Sequence, residues 1–215
     1  MEVDRIKDKH ILLLKQGIEA LHLNIDTIKL SQLIKYVELL LKWNKYYSLT
    51  AITDVERIIV YHLLDALAII PYLDSAQTII DVGSGMGIPG VVIAICYPQK
   101  QVWLVDSNHK KTTFLQQVAI ELVLPHLVVK CSKIESVISP DCYDVAISRA
   151  FSSSRLLIEK LAHLKVTTVM LMKSINVINE IDEINGYTYS LAEVRLPGSD
   201  NKRYLLKIDL KCTKI

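Results

Sequence analysis

Four of the chain's seven glycines fall in one short stretch, DVGSGMGIPG at 81–90, which follows the apolar run TII and precedes VVIAI. Glycine has no Cβ, so a stretch this bare admits close approach by a ligand or by neighbouring backbone. Three things fit it: the pyrophosphate of a dinucleotide, the methionine end of S-adenosylmethionine, or a tight strand-to-helix turn that holds nothing. Asp106, which ends QVWLVD, belongs with the loop. Its carboxylate can accept two hydrogen bonds from a ribose diol, and charge-assisted bonds are the stronger kind. Asp81 can orient the loop or attract a cationic ligand, and either acid can equally cap the helix after it. His62 and Asp65 stand three apart on a predicted helix. They read as a helix-face pair near a domain junction rather than a catalytic dyad, with contact to donor or RNA the lesser alternative.

Two registers compete within the loop. Gly85-Met86-Gly87-Ile88-Pro89-Gly90 satisfies the dinucleotide fingerprint GxGxxG, with Asp106 near the position of a ribose-binding acid. This register begins some residues past the strand end. The other, Asp81-Val82-Gly83-Ser84-Gly85-Met86-Gly87, puts an acid and GxGxG directly at the strand end, and resembles motif I of S-adenosylmethionine-dependent methyltransferases. That donor carries no phosphate. It needs close backbone approach at Gly83 and Gly85 and a carboxylate for its ribose, which is Asp106 here.

The elements that must hold these residues are legible in the hydrophobic pattern. The first seventy or so residues read as helical. Leu30, Leu33, Ile34, Val37, Leu40 and Leu41 recur at helical spacing, and Thr53 with Glu56 has capping-box spacing before a run through Ile59, Leu63 and Leu67. After Ser75, short β-rich runs alternate with helical ones: QTIIDV then PGVVIAICY, QVWLVD then KKTTFLQQVAIEL, HLVVKC then a loop, YDVAISRA then SRLLIEKLAHL, and TTVMLMK then INVINEIDEI. Such alternation implies a parallel sheet with helices on both faces. TYSLAEVRL and KRYLLKIDLK follow without a crossover helix, so they pair as an antiparallel hairpin. The expected architecture is α/β: a Rossmann-like, class I methyltransferase sheet, mostly parallel with a C-terminal antiparallel hairpin. A helical N-terminal region, 1–74, packs on the methyltransferase domain, 75–215. A dinucleotide-binding sheet, by contrast, is normally all parallel.

Composition narrows the classes. The chain has 215 residues, half of them hydrophobic, and a net charge of +2. No apolar run approaches the roughly 20 residues that span a bilayer, and MEVDRIKDKH lacks a signal-peptide pattern. Cys96, Cys131, Cys142 and Cys212 are widely spaced, without CxxC or clustered histidines. Neither zinc nor a disulfide framework is expected, and the cysteines read as reduced in a cytoplasm. NHKK at 108–111 and the tail from Lys202 to Lys214 are locally basic.

Read outward from the loop, KWNKYYSLTAI (42–52), HLLDAL (62–67), DVGSGMGIPG (81–90), LVDSNHKKTTFL (104–115), ISRAF (147–151) and KRYLLKI (202–208) occur in order. Together they resemble the bacterial RsmG (GidB) family, which methylates N7 of a guanosine in the decoding region of small-subunit ribosomal RNA. The resemblance runs nearly end to end, and Gly87-Ile88-Pro89-Gly90 and the SRAF segment are its most distinctive parts. It implies S-adenosyl-L-methionine as donor, contacts to it from Gly83, Ile88, Ile134, Glu135 and Arg149, and Asp106 as ribose-binding acid. It implies an RNA or ribosomal-particle partner, with Lys110, Lys111, Lys173, Arg203 and the helix carrying Lys42 and Lys45 as candidates for phosphate contacts. No catalytic base is expected, since guanine N7 has no proton to lose, and neither a metal nor a membrane is implied. Nothing in the sequence demands more than a monomer. Four positions depart from the family pattern: Lys133 for a usual arginine, Ser174 for glycine, Tyr61 for a frequent arginine and Ser48 for asparagine. A nicotinamide-dependent oxidoreductase and a non-catalytic RNA-binding or ribosome-assembly protein of the same fold are the rival readings.

Overall fold

A computed structural model describes residues 6–138, 142–149, 151 and 153–210. Cys212, the end of the basic tail and Ala150 of the SRAF segment lie outside the described residues. Seven strands form one sheet: β1 Thr78–Val82, β2 Gln101–Asp106, β3 Leu127–Cys131, β4 Cys142–Arg149, β5 Lys165–Lys173, β6 Thr188–Val194 and β7 Arg203–Asp209. Their spatial order is β3-β2-β1-β4-β5-β7-β6, with β1 to β5 pairing in parallel. The expected hairpin is present, and β7 pairs antiparallel with both β5 and β6. Because β7 inserts between them, β6 runs in the same direction as the first five strands. The reversed β7 therefore begins at the edge where the parallel strands end.

The helices are α1 Asp8–Ala20, α2 Thr27–Tyr47, α3 Val55–Ile58, α4 Asp65–Leu67, α5 Gly90–Cys96, α6 His109–Glu121 and α7 Ser154–Leu161. Strand side chains alternate between the two faces, as the pleat requires. Ile79, Val102, Leu104, Val145 and Met170 point toward α5, α6 and the N-terminal helices, in one buried cluster with Leu14, Leu33, Leu40, Leu63 and Leu67. Ile80, Val105, Ala146 and Leu171 point the other way, toward Leu157 and Leu161 of α7 and toward Val177 and Ile184. The stretch after β5, expected to be helical, is a 3-10 helix, Ile175–Ile184.

Two local expectations are corrected. The cap before α3 is Asp54 rather than Thr53: its carboxylate accepts the Arg57 N–H at 2.8 Å, while Glu56 turns outward to Lys9 at 2.7 Å. The run from Val55 to Leu67 is also not one regular helix, because Ile59–Leu64 adopts π geometry between α3 and α4. Such wide turns are uncommon and often accompany functional sites; this one carries His62.

The departure at Ser48 has a backbone consequence. Ser48 ends α2 in the left-handed region, at φ 48° and ψ 54°, where asparagine or glycine is favoured. Ser48→Asn should stabilise the protein by about 0.5–1 kcal/mol, seen as a rise of roughly 1–4 °C in Tm for a chain of this size. Gly90 is fixed by space instead. A Cβ there would stand 2.1 Å from Leu104 Cδ2 and 2.7 Å from Asp81 Oδ2. Gly90→Ala should therefore cost about 1–3 kcal/mol, measured as a lower urea midpoint; an unchanged midpoint would show that the loop relaxes freely.

Candidate active site

The glycine loop is positioned by its own backbone before any side chain takes part. The N–H groups of Gly83 and Ser84 both donate to Val105 O, at 2.8 and 3.1 Å, lashing the end of β1 to the end of β2. Gly83 (φ 70°) and Gly85 (φ 58°) take the left-handed conformation, and a Cβ on Gly83 would meet no atom within 4 Å. This open side borders a cavity of about 360 Å³ that Gly83 shares with Asp106, Lys133, Ile134, Glu135 and Phe151. Asp106 Oδ2 accepts the Gly85 N–H at 2.9 Å and Oδ1 accepts the Asn108 N–H at 2.8 Å. A carboxylate has about four accepting positions, so Asp106 is oriented by these bonds and not saturated by them. Ile134 is buried and forms an apolar wall, while Glu135 is exposed and paired with Lys160. That hydrogen bond holds the Glu135 carboxyl below its ordinary range.

The second half of the loop is packed against the core. A Cβ on Gly87 would lie 2.5 Å from Val91 Cγ2 and 2.6 Å from Leu115 Cδ2. Asp81, 1% exposed, accepts the Gly90 N–H at 2.9 Å and so ties β1 to the start of α5. Its other oxygen has no hydrogen-bond partner, and burial pushes its carboxyl up to about 7. The amide a dinucleotide fingerprint would turn toward a pyrophosphate is thus committed to a buried acid. Tyr36 of α2 closes this layer by donating to Met86 O at 2.9 Å.

A second cavity, about 400 Å³, adjoins the first through Phe151, which lines both. Buried Asp65 of α4 receives Arg203 Nε at 3.1 Å and lies 3.6 Å from Arg149 Nη1. Burial raises the Asp65 carboxyl, with the two guanidinium groups opposing. Opposite them, Lys173 donates to Glu180 at 2.6 Å and to Phe151 O at 2.8 Å.

The expected site residues therefore divide. Gly83, Asp106, Ile134 and Glu135 converge on the first cavity, with Gly85 bonded to Asp106 just beside it. Arg149, expected at the donor, lines the second cavity, because the pleat sends it to the N-terminal helix side with Val145 and Ile147. Ile88 is buried in the main core and lines neither cavity. Lys110 and Lys111 stand on the first turn of α6, where Asn108 caps both their amides. Arg203 and Lys173 both line the second cavity, Lys173 only 8% exposed with its ammonium on Glu180 and Phe151 O. Of the departures, Lys133 and Ser174 line the two cavities, and Tyr61 packs under Arg57 at 5.9 Å. Asp65, whose lesser sequence reading is contact with donor or RNA, lies at the second cavity; Phe151 falls inside the SRAF segment, and Glu180 carries no signal in the sequence.

Comparison with known proteins bears on what such a site does. Residues 29–197 match the GidB family, described as rRNA small subunit methyltransferase G. Ribosomal RNA small subunit methyltransferase G of Chromobacterium violaceum is 40% identical over 206 residues, covering 94% of this chain and 99% of that protein. The Neisseria gonorrhoeae protein of the same name is 47% identical over 151 residues, 70% of this chain and 72% of its own. Among solved structures, a SAM-dependent methyltransferase from Aquifex aeolicus superposes with TM-score 0.58 at 14% identity, covering 79% of this chain and 97% of that one. Magnesium protoporphyrin IX methyltransferase from Synechocystis, solved with bound SAM, gives TM-score 0.58 at 16% identity over 86% and 98%. The sheet is thus the mostly parallel, Rossmann-like sheet of the class I methyltransferases.

His62 links the two layers of the second cavity. Its Nδ1 lies 2.9 Å from Arg149 Nη2 and 3.0 Å from Tyr61 O. A guanidinium only donates and a carbonyl only accepts, so Nδ1 serves one of them at a time; in the neutral ring that accepts from Arg149 the proton sits on Nε2, donating to Thr50 Oγ1 at 3.1 Å. Burial, then the Arg149 charge, push His62 down to about 4. With the folded value below the unfolded one of about 6.5, the unfolded state binds the extra proton in this window. The stability His62 contributes is therefore complete above about pH 6.5 and lost as pH falls through 4. Imidazole NMR should show a neutral Nε2–H ring with its midpoint near pH 4; a midpoint near 6.5 would remove the Arg149 bond from the account.

Proposed function

The chain belongs to the GidB family, the rRNA small subunit methyltransferases G, and from that membership we propose that it methylates N7 of a guanosine in the decoding region of 16S ribosomal RNA. The methyl donor is S-adenosyl-L-methionine, and the substrate is naked RNA or an assembling particle in the cytoplasm. The observation that carries the reading is the pair of adjoining cavities that meet at Phe151. One is suited to a nucleoside with a ribose diol, the other to a base with its phosphates.

The donor fits the first cavity on features of the chain itself. Gly83 leaves open space, Asp106 is held by two backbone donors with accepting positions to spare, and Ile134 supplies an apolar wall. The volume lies in the range of roughly 300–1,000 Å³ usual for ligand pockets. Bound there, S-adenosyl-L-methionine supplies an electrophilic methyl group.

Guanine N7 offers a lone pair and no proton, so no side chain has to act as general base. The chain's contribution is alignment, which can be worth about 7–11 kcal/mol. Its walls suit that task, since the glycine loop is fixed by Val105 O, Asp81 and Tyr36 rather than by mobile side chains. Positive charge grows on a purine methylated at N7, and a free cation beside it would oppose this. Around the second cavity Arg149 and Arg203 share Asp65 and Lys173 pairs with Glu180, so three cations face two carboxylates and the excess is one positive charge, available to a phosphate.

The test is transfer from labelled S-adenosylmethionine to unmethylated small-subunit RNA, naked and in particles, with the product nucleoside identified. The expected product is 7-methylguanosine at one site. Asp106→Ala should abolish donor binding and transfer while leaving RNA binding intact. Donor binding without transfer to either substrate would keep the fold and move the substrate elsewhere, and binding of NAD(H) in place of the donor would overturn the reading outright.

A further inference from the structure

Outside both cavities, a groove of about 250 Å³ runs between the last turns of α2 and the outer side of α6. Its floor is Trp43, whose ring centroid lies 5.7 Å from that of fully buried Phe114 and 5.2 Å from that of Tyr47. Its rim is Tyr46, 79% exposed, and Tyr47, 42% exposed. Two neighbouring tyrosines thus stand in water on a base that is itself wedged into the core. Lys42 lines the groove and Lys45 stands one residue before the rim, both exposed. The carboxylate that lines it, Glu121, is occupied by Gln117 at 3.1 Å and by Lys35 at 3.8 Å. Flat π faces flanked by free-standing cations suit unpaired bases and their phosphates.

The groove's position carries the inference further. α2 lies antiparallel to α6, with Gln32 bonded to Leu122 O at 2.8 Å near one end and Trp43 against Phe114 farther along. The end of α2 and the first turn of α6, with Lys110 and Lys111, therefore reach the same edge of the molecule. Three residues beyond Tyr47, Thr50 bonds to His62, which bonds to Arg149 of the second cavity. That length of chain spans at most about 11 Å, and two side chains then bridge to Arg149, so the rim lies toward the same edge as the cavity assigned to the target base.

We propose that this groove is a stacking platform for single-stranded ribosomal RNA adjoining the methylated nucleotide. It rests on the methyltransferase reading above and gives Trp43, Tyr46 and Tyr47 a role that reading leaves open. A base stacks on Tyr46 or Tyr47 with Trp43 as rigid backing. Lys42 and Lys45 follow the strand's phosphates, and Lys110 and Lys111 continue the track toward the donor cavity. Stacking of this kind tolerates any base, so the platform adds affinity and register while the choice of nucleotide stays with the second cavity.

The chain has two tryptophans, and Trp103 packs against Tyr143 in the other core layer. In the full chain carrying Trp103→Phe, Trp43 becomes the sole indole reporter. Titration with a short single-stranded RNA of mixed sequence should quench its fluorescence. Tyr46→Ala with Tyr47→Ala should weaken binding roughly tenfold or more, while Tyr46→Phe with Tyr47→Phe restores it. Lys42→Gln with Lys45→Gln should lower the salt slope by about 0.7 per lost phosphate contact. In methyl transfer, the double alanine variant should need more RNA for half-maximal rate, with donor binding and the rate at saturating RNA unchanged. No quenching together with unchanged RNA affinity overturns the platform even if wild-type protein methylates the RNA. Failure of wild-type protein to methylate, with quenching intact, counts against the reaction and not the platform. Self-association that the alanine substitutions abolish, with RNA binding untouched, would give the groove to a second copy of the chain and overturn the proposal.

Discussion

One buried carboxylate organises the ligand edge of the sheet. Asp65 comes from the N-terminal helical layer, Arg149 from the end of β4 and Arg203 from the start of β7, and all three meet within 3.6 Å. Removing one member of a buried, paired set costs on the order of 3–5 kcal/mol. The lower end applies here, because the two arginine side chains keep 24% and 29% of their surface. The triad depends on topology. Arg203 reaches the carboxyl edge only because β7 runs against the other strands, so the reversed strand is what supplies the second cavity with its second guanidinium. It depends equally on the π turn Ile59–Leu64, which presents His62 and Asp65 to the same two strands.

The fold was largely legible because its signals are local. Alternating runs dictated strands and helices, and two strands without a crossover dictated antiparallel pairing. What was not legible lay in geometry that sequence spacing does not encode. Thr53 and Glu56 had the spacing of a capping box, yet Asp54 is the residue whose extended backbone aims a carboxylate at the helix. The π turn has no composition of its own, and the pairing of His62 with Arg149 spans 87 residues.

The placement of the candidate site residues was legible only where neighbouring strand ends bring them together. Gly83 and Asp106 end adjacent parallel strands, so a pattern read along the chain places them together in space. Arg149 also ends a strand, but the pleat decides which face it joins, and that face is the other cavity's. Lys173 shows the limit of reading charge from composition: it was a surface cation by type and is an internal one by partner, bonded to Glu180 and Phe151 O. The glycine loop, which looked like a single feature, divides into an open half at Gly83 and Gly85 and a packed half at Gly87 and Gly90. Only the first half leaves open space where a side chain would stand.

That division has a consequence for how the site works. A loop that touched ligand along its whole length would owe its shape to the ligand. Here the packed half is fixed by the chain's own contacts: Asp81 on Gly90, Val91 and Leu115 against Gly87, Tyr36 on Met86 O. The open half is then held in register by two amides on Val105 O and one on Asp106. Asp106 is thereby both the loop's anchor and the cavity's acceptor, and its orientation is set before any ribose arrives. On the proposed reaction, where alignment is the main contribution, stiffness of this kind does the work that an acid–base pair does in other enzymes.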